Sequence, residues 1–131
     1  MTEVALRIAE AEAWDQFSDA QQQFEAMVRQ LHFTPAHSMS HSEVERLIQK
    51  EGSEVLRRLF EAHLTLRAME EPVGASVSGA DGVERTHHRR LGRGLMSLFG
   101  PVRVERMAYG ARGEQSWCPL DGELNLPREG Y

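Results

Sequence analysis

At 131 residues and 40% hydrophobic content, the chain has room for one domain, or for a helical segment joined to a small β unit, with a modest core. Its 20 acidic and 15 basic residues leave a net charge of −5, and its single cysteine, Cys118, excludes an internal disulfide and any multi-cysteine zinc site. No run resembles a signal peptide or approaches the ~20 apolar residues that span a bilayer, so the expectation is a cytoplasmic protein with no membrane partner.

Val4 to His32 contains neither Gly nor Pro and is rich in Ala, Gln and Glu, which favour helix. Trp14, Phe17, Phe24, Met27, Val28 and Leu31 recur at three and four residues and form one stripe. The stripe is expected to pack on a second helix. The set Trp14, Phe17, Gln21, Phe24, Val28 and Leu31 also fits an a/d heptad, which would suit a homodimer formed through helix one. Phe33 to Met39 reads as the connection.

Ser40 and Glu43 have the spacing of a capping box directly before an apolar-periodic run. Helix two therefore starts here. Val44, Leu47, Ile48, Val55, Leu56, Leu59, Phe60 and Leu64 carry the helical spacing on towards Met69, with Gly52 a weak point of about 1 kcal/mol relative to Ala. Pro72 and Gly74 end it, and Val73 to Gly82 has the small, glycine-rich composition of a flexible loop.

Leu95 to Phe99 and Val102 to Tyr109 are alternating runs on either side of Gly100-Pro101, the signal for a β-hairpin turning at that dipeptide. Val102 and Val104 share an apolar face, with Arg103, Glu105 and the approach to Arg106 on the charged one. Residues 1–71 hold 13 acids against 7 bases, a net of −6, whereas residues 83–113 hold 7 arginines against Glu84 and Glu105, a net of +5. The hairpin is a basic island on an acidic chain, and phosphate neutralisation is local.

Few residues suggest catalysis. His87 and His88 are adjacent, so a strand points them to opposite sides, and solvated histidines are the default reading. Asp81, Asp121 and Glu123 are the acids near the β unit, and Asp121 and Glu123 sit in a short Pro-flanked segment with no third ligand nearby; Asp121 is better read as the cap of a short helical turn from Gly122 to Leu126 closed by Pro127. Cys118 lacks a basic neighbour and a C-x-x-C partner, the pattern of a buried, inert thiol. Gly92-Arg93-Gly94 lacks the rest of a phosphate-binding loop. No catalytic residue, metal ligand or cofactor site is expected, and a small hydrolase is disfavoured. That leaves Arg85, Arg89, Arg90, Arg93, Arg103, Arg106 and Arg112 as candidate DNA-binding residues, because guanidinium forks hold phosphate and a two-stranded ribbon fits the major groove.

The run RRLGRGLMSLFGPVRVERMAYGARG followed by PLDGELNLP resembles the N-terminal region of bacterial insertion-sequence transposases of the ISKra-four family, with their R-x-x-x-T-x-x-G-x-V-x-V-x-R-x-x-Y and P-x-D-x-x-L-N-L-P blocks. The matching positions are Arg93, Ser97, Gly100, Val102, Val104, Arg106 and Tyr109, then Pro119, Asp121, Leu124, Asn125, Leu126 and Pro127. Ser97 replaces the common Thr and Pro101 a common acidic residue. The resemblance implies a recombinase whose RNase H-like domain, with its acidic triad and divalent metal, follows beyond Tyr131.

The expected architecture is α+β: two long antiparallel N-terminal helices (1–71), a flexible linker (72–82), a small antiparallel basic β-hairpin unit (83–113) and an irregular C-terminal tail (114–131) leading into the missing catalytic domain. The expected role is DNA binding, at transposon ends, and assembly for transposition. A stand-alone protein-interaction or regulatory module derived from a transposase is the alternative.

Overall fold

A computed structural model describes residues 9–71, 77–78, 82, 84–85, 87–113 and 116–127. The first residues of the expected helix one, most of the expected linker including Asp81, and the last four residues of the tail lie outside them. The architecture is α+β, a helical layer against a small antiparallel sheet.

Helix one is not a single rod. It divides into α1 (Glu10–Gln16) and α2 (Ser18–His32), with Phe17 between them at φ −90°, ψ 0°. The Ser18 hydroxyl donates to the Asp15 carbonyl at 2.8 Å, and such local bonding by serine competes with the regular ladder. The expected connection contains a single turn, α3 (Thr34–His37). The long helix α4 (His41–Met69) starts at the anticipated place: the Glu43 amide donates to the Ser40 hydroxyl, and the Ser40 amide to the Glu43 carboxylate, each at 3.2 Å. Arg58 reaches Asp19 at 3.2 Å and Gln23 reaches Glu51 at 2.6 Å, so α2 and α4 run antiparallel.

Val77–Ser78 (β1) pairs antiparallel with Glu84–Arg85 (β2), which brings part of the expected linker into a small ladder. The main ribbon joins β3 (His87–Ser97) to β4 (Gly100–Gly110), in register from His87↔Gly110 to Ser97↔Gly100. Its turn is at Leu98-Phe99, ahead of the expected Gly100-Pro101. Gly100, at φ +119°, takes a backbone conformation next to the turn that glycine adopts without steric cost. Ser97 fastens this corner by donating its hydroxyl to the Gly100 carbonyl at 2.7 Å and accepting from the Phe99 amide at 3.1 Å. The basic approach is itself strand, so the ribbon is longer than its apolar alternation suggested.

The described part of the tail is ordered rather than irregular. Trp117 pairs with Tyr109 through two 2.8 Å backbone bonds, and Pro119 then opens α5 (Pro119–Glu123), where its missing amide costs nothing. The helix starts three residues before the expected turn, and Asp121 does not cap it. It ends in a Schellman motif: Asn125 takes φ +52°, its amide donates to Gly122, and the Leu126 amide donates to Asp121. Leu120 enters one core with Leu64, Ala68, Leu95, Val102 and Val104, while Leu124 and Leu126 pack against it. The second half of α4, both long strands and the tail thus share a single core.

Replacing Ser40 with Ala removes half of the capping box and is expected to cost about 1 kcal/mol, read as a lower urea midpoint and faster amide exchange at the start of α4. Hydrogen bonds from Arg57 and Arg58 hold the Glu54 carboxyl at about 2, below its ordinary 4.5. A depressed carboxylate pKa contributes stability that is complete above the unfolded value and lost as pH falls through the folded one. Glu54→Gln should therefore flatten the decline in stability between about pH 5 and pH 2, as followed by thermal melts across that range.

Candidate nucleic-acid interface

The hairpin divides the seven candidate arginines by strand parity. Arg93, opposite Val104, and Arg106, opposite Leu91, share the face of Leu95, Val102 and Val104. This corrects the placement of Arg106 with the charged face, since a period of two groups residue 106 with residues 102 and 104. Arg106 is only 6% exposed. Its Nε and Nη2 donate to the two Asp121 carboxylate oxygens at 2.8 and 3.0 Å, and its Nη1 donates to the Leu91 carbonyl at 2.8 Å. Arg93 reaches the same carboxylate at 3.2 Å and also donates to the Pro127 carbonyl. The bond to Asp121 raises the Arg106 pKa, against the opposing effect of burial. Two of the seven guanidinium groups are thus committed to holding α5 on the sheet, and Arg85, on β2, is buried.

Arg89, Arg90, Arg103 and Arg112 are exposed. Arg90 and Arg103 belong to the ribbon face opposite to Arg93 and Arg106. There the Arg103 guanidinium lies across Gly92, where a Cβ would come within 2.1 Å of it. This face is mixed in charge: Arg90 and Arg103 border a hollow that is also lined by Glu61 and Glu105.

The other face is open beyond the reach of α5. His87 and Arg89, two residues apart on β3, are paired with Gly110 and Ala108, whose small side chains leave space above them. Arg112 and Ser116 close the far side of a hollow of about 430 Å³, with His88 at its rim. Among the described residues no carboxylate lines it. Two guanidinium groups, the His87 imidazole and a hydroxyl offer donors suited to an oxyanion, phosphate above all. His87 was read from the sequence only as a solvated histidine, and Ser116 was not singled out. The signal for His87 was its i, i+2 relation to Arg89; Ser116 is brought in by the return of the chain at Trp117.

The remaining chemistry is sparse. Burial pushes the Cys118 thiol up, away from the reactive thiolate. Among the described residues no group of three or more His, Cys, Asp or Glu side chains is placed to hold a metal ion, and no helix is long and apolar enough to cross a membrane. No family model, curated protein or solved structure matches the chain.

Substituting Asp121 with Asn should destabilise the fold by about 3 kcal/mol, because removing one partner leaves a buried charge unpaired. The triple variant Arg93→Met/Arg106→Met/Asp121→Leu should recover most of that loss, since an apolar cluster of similar volume avoids the desolvation cost. Urea unfolding of the single and the triple variant measures both effects.

Proposed function

We propose that the chain is the non-catalytic N-terminal segment of a DNA transposase and contributes DNA contact and assembly to transposition. The observation that carries the reading is the basic hollow at the open end of the hairpin, formed by His87, Arg89, Arg112 and Ser116, with no carboxylate among its described lining residues. Backbone phosphates bind to such a surface through charge-assisted hydrogen bonds and counterion release, without the whole chain having to be basic. Further support comes from the two sequence blocks that resemble the transposase family: Arg93 and Arg106 of the first meet Asp121 of the second in one folded unit.

In this reading Arg89 and Arg112 make the primary phosphate contacts, and Arg90 and Arg103 on the reverse face are secondary. Arg93 and Arg106 act indirectly by fixing the ribbon. The DNA ends, the divalent metal and the strand chemistry belong with a catalytic domain beyond this chain, and assembly runs through helix one. A stand-alone interaction module derived from a transposase is the second reading, favoured by the apolar residues left exposed along α1, α2 and α4.

Anisotropy titrations of a labelled 30-base-pair duplex at several salt concentrations test the proposal. Arg89→Glu/Arg112→Glu should weaken binding at least tenfold and lower the salt slope by about 2. Arg90→Glu/Arg103→Glu should have a clearly smaller effect. No salt-dependent complex with the wild-type chain, or equal losses in the two double variants, would overturn the assignment of the hollow.

A further inference from the structure

The helical arm leaves apolar surface uncovered along much of its length. Trp14, Phe24, Val28, Ile48, Leu56 and Leu59 are each between 38% and 61% exposed. Two hollows of about 520 and 420 Å³ run between the paired helices, and Phe24 and Val55 line both, so they form one continuous groove. Its lining is almost wholly apolar. Two helices cannot enclose a core between themselves; the stable solutions add a further layer.

We propose that this groove is the interface for a second copy of the same chain, the two arms packing antiparallel about a two-fold axis near Phe24 and Val55 into a four-helix bundle. The inference deepens the assembly half of the proposed function by naming its surface and orientation. Area is the first argument. About half of each of six large side chains amounts to ~500 Å² of apolar surface per copy. A dimer interface of ~800 Å² per partner that is about two-thirds apolar needs that much. A symmetric interface also needs only the one self-complementary patch present here.

Charge sets the orientation. At one end of the arm, α1 carries Glu10, Glu12 and Asp15 and no basic residue. Towards the other end Arg29, Arg46 and Lys50 balance Glu43, Glu45 and Glu51. A parallel pair would set the two acidic α1 segments side by side. An antiparallel pair sets each against the charge-balanced end of its partner and avoids that repulsion, and the two-fold axis brings Phe24 and Val55 of both copies together. The same a/d pattern that suggested self-association through helix one then extends to α4, which supplies Ile48, Leu56 and Leu59.

Sedimentation equilibrium of the full chain without DNA is expected to show a dimer at micromolar concentration. Phe24→Glu and Leu56→Glu, each at an exposed position, should raise the dissociation constant at least a hundredfold while leaving helical circular dichroism unchanged. A wild-type chain that is monomeric at 100 µM would overturn the proposal, as would variants that fold and still dimerise. Ser42 is ~20 Å along α4 from Val55 at ~1.5 Å rise per residue, so nitroxides at Ser42→Cys, with Cys118→Ser, should lie ~40 Å apart in the antiparallel dimer. A spacing below ~20 Å would overturn the orientation. Titrating the Phe24→Glu variant with the labelled duplex separates the two readings: a monomer that still binds DNA with a salt-sensitive slope leaves the hollow assigned whatever the oligomeric state.

Discussion

The ion cluster of Arg93, Arg106 and Asp121 is the constraint on which the lower half of the molecule depends. Asp121 stands in the first turn of a five-residue helix, far too short to be stable alone in water. What keeps α5 in place is the fork from Arg106, the second cation at Arg93 and the burial of Leu120 beside them. The arrangement is reciprocal. A guanidinium on the inner face of a small sheet would be costly without a partner, and the tail brings that partner from fifteen residues beyond Arg106. Sheet and tail are therefore expected to fold together.

A second constraint acts at the outer edge of β4. An edge strand exposes unpaired amides that invite another strand. Here the Arg103 amide donates to Glu61 at 2.8 Å and the Met107 amide to Glu71 at 2.9 Å, while the Tyr109 amide is taken by Trp117. Ten residues along α4 and just past its end cover ~15 Å, and four residues of strand cover ~13 Å. The two carboxylates thus match alternate outward amides. Arg57 extends the seam by donating to the Pro101 carbonyl at 3.2 Å, at the residue that has no amide to offer. This polar stitching joins helical and β parts beside the core they share through Leu64 and Ala68, and it explains why acids on α4 are structural as well as solvating.

Much of this was legible in local patterns. The capping box located α4 to the residue because its two hydrogen bonds depend only on residues three apart. The Gly/Pro break and the alternation around it marked the hairpin. The turn itself was displaced because Gly100 serves as the positive-φ residue after a turn rather than inside it. Helix one was legible as helix but not as two pieces, since the interruption is the single residue Phe17 within an otherwise helical pattern. The tail was the least legible, because its order rests on partners distant in sequence: Tyr109 for Trp117, and Arg93 and Arg106 for Asp121. Its local signals were present, with Pro119 at the first helical position and Asn125 at the end, but they gain their meaning from the core that receives Leu120.

For the candidate site, the decisive quantity is parity rather than charge. Seven arginines in one stretch look like a uniform basic surface when counted. Once the register places residues 93 and 106 opposite Val104 and Leu91, a period of two sends their side chains inward and leaves 90 and 103 on the reverse face. Along the inner face, environment then separates like residues: where α5 covers the strands, arginine meets a carboxylate; where the partner positions are Ala108 and Gly110 and the helix has ended, Arg89 meets open space. The same residue type on the same strand face therefore serves the fold at one end and is free to take an anion at the other, and what divides the two roles is the length of a five-residue helix.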